Sequence, residues 1–446
     1  MRYIAEIAYS GFPRATLGNS RIGWSSSEPH TVHVMEALSQ LAIIWAGVLI
    51  AAYLARRTQL TPVLYFLAVG AVFVNLGWLP EQPHEFIRGF AEVGIVLIMF
   101  AIGFEERVDH FLDSVKRSWG IAFFGALAPF LTAYSLTWWF WQDFAIALMC
   151  GLAMTATAVS LTMVALRSEG LGQSIVALRI MTSAVIDDIA SLALVAILIP
   201  LAVGGDAPTL LEVALLIVKV IAFFAAVVLL SVFVLPHSSG PRWLRGINIR
   251  TLLAFEQGEY ATLIIMLMAV VIGLLAHVFG FHPAVGAYMA GLILREEYFH
   301  FGEQPEKTYP EVARLIDNVA FAWMGPVFFV VLGTHLQLDV NRILALLPQV
   351  MLLTLCLFVA QVASAALAAR YTSGLNLSES MMVGFGMLGR AELAFVVLDI
   401  AFVQHAILTA DAFYVLMMTA FCLNVAVPVF IRLWKPYFYS SAVEIG

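Results

Sequence analysis

Thirteen mainly apolar stretches, near residues 33–55, 61–79, 86–104, 118–140, 143–166, 175–203, 209–236, 260–279, 282–295, 319–337, 343–370, 380–404 and 408–433, decide what this chain can fold into. A helix rises about 1.5 Å per residue, so roughly 20 residues cross a hydrocarbon layer about 30 Å thick. No water inside that layer can satisfy a peptide group, so a spanning segment must be a helix or part of a closed barrel. Stretches of this length predict helices, the ninth a short one. The expected fold is an all-α polytopic membrane protein with about thirteen transmembrane helices.

The totals agree: 62% of the 446 residues are hydrophobic and 12% charged, with a mean hydropathy of +0.92. The net charge of −7 says little about partners, because placement of charge matters more than its sum in a membrane protein. Lipid is the expected surrounding, and nothing points to nucleic acid. Cys150, Cys356 and Cys422 lie inside apolar stretches without metal-ligand spacing, so they read as small core residues. Residues 1–32 form a polar N-terminal tail without the apolar run of a cleaved signal.

Connections from odd to even stretches carry most of the Lys and Arg. With Arg432 and Lys435 beyond the last stretch, fifteen basic residues fall on one side, against Arg2, Arg14, Arg21, Arg88 and Arg342 on the other. Basic loops face the cytoplasm, so the N-terminus is expected outside and the C-terminus inside, in a bacterial inner (plasma) membrane. Trp78, Trp138, Trp139 and Trp141 fall at outer ends, and Trp119 and Trp434 at inner ends, as interfacial anchors do. Segments 105–117 and 296–318 read as short amphipathic surface segments, and 437–446 as a C-terminal tail. No nucleotide-binding domain is expected after it.

Asp187 and Asp188 stand about 18 Å along the sixth stretch, near the middle of the hydrocarbon layer. A charged Asp at a helix centre costs roughly 2.5 to 3.5 kcal/mol, so such groups face a cavity, an ion or a partner. They are either a functional pair or two acids in structural ion pairs. The fifth stretch holds Met-Thr-Ala-Thr-Ala-Val-Ser-Leu-Thr at 154–162 and the twelfth Gly-Phe-Gly-Met-Leu-Gly-Arg-Ala-Glu at 384–392. Both read either as interrupted helices, whose unwound backbone can line a cavity and bind ions, or as small residues that let helices pack closely. The two stretches are seven apart. An odd offset makes stretches 4-5-6 and 11-12-13 run in opposite directions, an inverted-repeat arrangement whose substrate site lies at the midplane.

These segments carry a family likeness: Ala-Val-Ile-Asp-Asp at 184–188, Thr-Ala-Thr-Ala-Val-Ser at 155–160, Gly-Ala-Tyr-Met-Ala-Gly-Leu at 286–292, Pro-Val-Phe-Phe at 326–329 and Gly-Arg-Ala-Glu-Leu at 389–393. Two more, 91–100 around Glu92 and Ala-Ile-Gly-Phe-Glu at 101–105, extend it. From about the second stretch to the thirteenth the chain resembles the monovalent cation/proton antiporters, the paired-Asp branch of the sodium/proton exchanger superfamily. The resemblance implies inverted repeats with two crossing broken helices. It implies a core domain (118–203 and 343–433) moving against a dimerisation domain (33–104 and 260–337), with a linker helix (209–236) and usually a homodimer.

It further implies that Asp188 binds proton and cation in turn, with Asp187 its neighbour, and that a transported Na+ is held by Asp188, Asp187 and Thr157. Thr155, Ser160, Gln361, Arg390 and Glu392 are supporting residues. No resident cofactor is implied, only the transported cation and H+. A hard monovalent ion suits oxygen ligands, and proton and cation would compete for one site. Electrogenic members often carry a Lys where this chain has Gln361, leaving Asp187 to be protonated or to meet another base: Arg390, Arg179 or Lys219. Arg390 is expected to be satisfied by Glu392 or another nearby acid, Arg179 to snorkel to the inner edge, and Lys219 to form a structural pair. Glu92 and Asp399 are isolated acids, and His335 is a pH modulator or an interfacial side chain.

The leading expectation is a secondary transporter exchanging Na+, or Li+, for H+ in pH homeostasis. A K+/H+ antiporter of the potassium-efflux type is the alternative, although those generally show Gln-Asp in place of Asp187-Asp188. An intramembrane aspartyl protease is remote. It needs acids on two facing helices, one in Gly-x-Gly-Asp, whereas Asp187 and Asp188 point about 100° apart on one helix. A passive channel would show a filter repeat or charge ring, and neither is visible.

Overall fold

The computed structural model describes residues 28–58, 60–105, 111–203, 210–230, 249–299, 305–337, 339–390 and 392–443. The described residues form helices α1 (Glu28–Thr58), α2 (Pro62–Asn75), α3 (Glu85–Glu105), α4 (Phe111–Trp141), α5 (Phe144–Ala153), α6 (Val159–Ser168), α7 (Ile175–Val203), α8 (Leu210–Leu229) and α9 (Ile249–Leu253). They continue with α10 (Ala261–Val278), α11 (Pro283–Leu292), α12 (Pro305–Asp317), α13 (Gly325–Thr334), α14 (Val340–Ser373), α15 (Leu377–Gly386), α16 (Glu392–Asp399) and α17 (Ala410–Val443). Wide π-type turns, Asn318–Met324 and Ile400–Gln404, precede α13 and extend α16. Eight helices among the described residues are long and apolar enough to cross a membrane.

The thirteen apolar stretches fall on helices where described, two of them interrupted, with some boundaries moved. Residues 28–32 of the expected N-terminal tail begin α1, while 1–27 lie outside the described residues. Residues 111–117 of the expected surface segment form the first two turns of α4, which continues unbroken into the membrane stretch. The 296–318 segment does carry an amphipathic helix, α12. α17 runs past the expected boundary at 436 to Val443.

The helices pack as two sets. α1, α2, α3, α10, α11, α12 and α13 form one; α4, α5, α6, α7, α14, α15, α16 and α17 form the other, with α8 against α7. In the first set α3 and α11 meet backbone to backbone, because Gly103 faces Tyr288 and Gly291 faces Phe100. A methyl on Gly291 would collide with the Phe100 carbonyl, and one on Gly103 with that of Tyr288. Small residues at such crossings let transmembrane helices approach closely. In the second set the long helices α4 and α14 lie side by side. The sets meet where α16 lies against α3.

Candidate functional site at the crossing of two broken helices

Two stretches that would each form one long helix are interrupted. Asp143 accepts the Ile146 N–H at 2.9 Å and starts α5, which stops at Ala153. The chain unwinds over 154–158 before α6. Asn376 and Glu379 form a reciprocal capping box that starts α15, which stops at Gly386 before α16 resumes at Glu392. Side-chain caps start the first half of each interrupted stretch, and the small residues Ala158 and Gly389 let the two backbones approach at the breaks.

The two breaks touch. The Ala158 N–H donates to the Gly389 carbonyl at 2.9 Å, and Thr162 Oγ1 donates to the Gly386 carbonyl at 2.6 Å. A Cβ on Gly389 would lie 2.9 Å from that of Ala158, so this approach requires glycine.

α7 presents its acids to this crossing in two directions. Asp187 is buried, and its Oδ2 accepts both the Thr157 N–H, at 3.2 Å, and Thr157 Oγ1–H, at 2.9 Å. Asp188, one residue on, turns instead to a cavity of about 600 Å³ between the two helix sets. Thr157 and Glu392 also line that cavity, which reaches Thr61, Glu105 and Arg167. The 100° turn per residue thus points the two acids apart, Asp187 towards Thr157 at the first break and Asp188 towards the cavity.

The fully buried Arg390 lies behind the pair. Its Nη2 donates to Gln361 Oε1 at 2.8 Å, and its Nη1 donates to the carbonyls of Met387, Leu388 and Gly389 at 3.3, 3.3 and 3.0 Å. Gln361 Nε2 in turn donates to the Gly125 carbonyl at 2.9 Å. The acid within electrostatic reach of the guanidinium is Asp187, rather than Glu392, which faces the cavity. Carbonyls at the end of α15, the negative pole of a half-helix, add to its stabilisation.

The other sequence-based candidates are dispersed. Thr155 Oγ1 bonds back to the Gly151 carbonyl, and the Ser160 side chain lies outside the described residues. Arg179 is buried, not at an edge: it sits one turn before Ser183, whose hydroxyl meets Met387 Sδ at 3.7 Å, on the face turned towards the second break. Lys219 is exposed on α8, and the Glu212 side chain lies outside the described residues. Asp399 accepts from Gln404 Nε2 at 2.9 Å, and that nitrogen lies 3.2 Å from His282 Nε2. This links the second set to α11 of the first. Glu92 is exposed, within electrostatic reach of Asp399, and His335 packs edge-on against Phe402.

One residue escaped the sequence reading. Asn424, fully buried in α17, holds the Arg390 backbone through both its amide atoms. A lone Asn in the apolar run 421–427 was the available signal.

An all-helical membrane protein whose two interrupted helices cross beside a buried acid pair and an open cavity is a transporter by architecture. A family model described as "Sodium/hydrogen exchanger, transmembrane" matches residues 45–435, and the chain belongs to that family. It is 25% identical to a "Na(+)/H(+) antiporter" of Enterococcus hirae, over 85% of this chain and 93% of that protein. It is 28% identical to the "Na(+)/H(+)-K(+) antiporter GerN" of Bacillus cereus, over 81% of this chain and 87% of that protein. Likeness to the glutathione-regulated potassium-efflux protein KefC of Cronobacter sakazakii is 30%, over 55% of this chain and 38% of that protein. The solved sodium proton antiporter MjNhaP1 from Methanocaldococcus jannaschii shares the fold at 14% identity, with a TM-score of 0.66 over 90% of this chain and 100% of that one. The protein is a cation/proton exchanger by family and not a protease.

Proposed function

We propose that the protein exchanges Na+, with Li+ also accepted, for H+ by alternating access, and that Asp188 binds proton and cation in turn. The observation that carries this is the division of the acid pair: Asp188 lines the cavity with Thr157 and Glu392, while Asp187 is held by Thr157. The empty site is charged and costly to carry through a dry barrier. Either ligand neutralises it, so the transporter moves only when loaded. Na+ draws its oxygens from Asp188, Thr157 and the unwound backbone, with Asp187 adding charge from behind.

Gln361 stands where electrogenic members often carry a Lys and can hydrogen-bond but cannot carry a proton, so one proton returns per cation. Exchange then ignores the membrane potential. Basic loops orient the chain with its N-terminus outside and its C-terminus in the cytoplasm of a bacterial cell, and the cavity opens inward beside Arg167. The set containing α4 to α7 and α14 to α17 is the moving core, and the set around α3 and α11 is the dimerisation domain of a homodimer.

Proteoliposomes with imposed Na+ gradients test the reading. Wild type should move protons uphill, at a rate indifferent to a clamped potential, and Asp188→Asn should not. Normal exchange by Asp188→Asn would assign the site elsewhere. K+ is the second substrate to assay, since the similar Bacillus cereus protein is named for both ions.

A further inference from the structure

Gln404 joins the two helix sets at the end remote from the cavity. The cavity reaches Glu105, where α3 ends. The wide turn 400–404 lies at the other end: Phe402 packs on His335 at the close of α13, and Gln337, two residues on, donates to Glu81, shortly before α3 begins. Here one terminal atom of the Gln404 amide meets Asp399 Oδ2 at 2.9 Å and His282 Nε2 at 3.2 Å. Asp399 is buried and Gln404 exposed, so the meeting borders solvent.

Counting hydrogens fixes what this meeting requires. His282 caps α11 by accepting the Ala284 N–H on Nδ1 at 3.2 Å, so a neutral ring carries its hydrogen on Nε2. With the amide nitrogen at the meeting point, Gln404 donates to Asp399 but turns a second donor on the imidazole N–H. The other tautomer and the charged ring both put a hydrogen on Nδ1 and lose the Ala284 bond. Turning the amide over, which leaves its shape unchanged, places its oxygen there to accept from Nε2–H. Asp399 must then donate as well, and a carboxyl donates only when it carries a proton. All three contacts are satisfied together in that one arrangement. We propose that Asp399 is a second proton-binding site, whose proton locks the two helix sets together at the end remote from the cavity.

Ionised Asp399 keeps the amide nitrogen for itself, and the His282 contact gives way. The sets are then free to part at that end. The charged and titratable groups around the meeting are Glu92 of α3, within electrostatic reach of Asp399, His405 and His277, within reach of His282, and Arg88, within reach of His335. α5, also packed on α16, brings only Cys150. Asp399 stands seven residues beyond Glu392, about 10 Å along α16, and does not line the cavity. The direction of its effect rests on the exchange reading above, with this end outside: a proton from the outer solution holds the outer end shut and the cavity open to the cytoplasm. Asp399 biases the cycle and adds no transported proton.

The test follows deuterium uptake over 399–405 at about pH 5.5 and about pH 8, on either side of neutrality, with labelling times scaled for the intrinsic pH dependence of amide exchange. Wild type should be protected several-fold more at the lower pH. Asp399→Asn, whose amide donates as the protonated acid does, should hold that protection at both pH values. His282→Asn keeps a cap for Ala284 but is too short to reach Gln404, and should take up deuterium fast at both; it also serves if the Asp399 variant does not fold. Infrared difference spectra between the two pH values should show a carboxyl band gained at the lower pH in wild type and absent from Asp399→Asn. Equal wild-type protection at the two pH values, a pH response that survives in Asp399→Asn, or no carboxyl band assigned to Asp399 overturns the proposal. A wild type that transports no cation in proteoliposomes overturns the exchange reading alone, and the protection and the infrared band still decide the lock.

Discussion

Arg390 Nη2 and Gln361 Oε1 are 2.8 Å apart, and the other end of the same glutamine amide donates to the Gly125 carbonyl at 2.9 Å. Gln361 is thus a strut between α4 and the second break, oriented by one partner that only accepts and one that only donates. Gln361→Ala strands a charged donor and a buried carbonyl together. A loss of about 2 to 4 kcal/mol is expected from two such groups, read as a lower thermal midpoint in detergent. An unchanged midpoint would show that water replaces the strut.

Thr157 supplies both hydrogen bonds that Asp187 Oδ2 receives. Thr157→Val removes the hydroxyl donor and keeps the amide and the shape. Hydrogen bonds to charged groups contribute about 1.5 to 3 kcal/mol, so the apparent cation affinity should fall roughly ten-fold or more. Thr157→Ser should restore it. Equal concentration dependence in the Val variant and wild type would remove Thr157 from the site.

Gly389→Ala places a Cβ 2.9 Å from that of Ala158 and 3.4 Å from Asn424 Oδ1. The crossing must open, and core overpacking costs about 1 to 3 kcal/mol. Exchange should fall at least ten-fold, with the thermal midpoint lowered. Gly89→Ala, where a Cβ meets nothing within 4 Å, should leave both measurements as they are. Wild-type exchange by Gly389→Ala would mean that the two breaks need not touch.

Gln404 joins Asp399 to His282 across the boundary between the helix sets. In Gln404→Ala that boundary should open more often, and amide hydrogen exchange over 399–405 should quicken by several-fold while residues 154–158 keep their protection. Uniform protection in both proteins would show that the contact closes nothing.

The paired acids and the small-residue runs were legible in order along the chain because each follows a local rule. Hydrophobic length gives spans, and a mid-span Asp demands a reason. Snorkelling is a rule for a lone helix end in lipid, whereas the Arg179 side chain is buried against the protein.

By itself the sequence determined that this chain must be a bundle of membrane helices with two acids at mid-depth, because uncompensated peptide groups and charges in hydrocarbon leave so few alternatives. Only the tertiary structure decided that Asp188 lines the cavity while Thr157 bonds Asp187, that Gln361 joins Arg390 to the Gly125 carbonyl while Glu392 lines the cavity, and that Asn424 holds the Arg390 backbone. Those relationships join residues 29 to 236 positions apart, and no local pattern encodes which of many polar groups will meet when two broken helices cross.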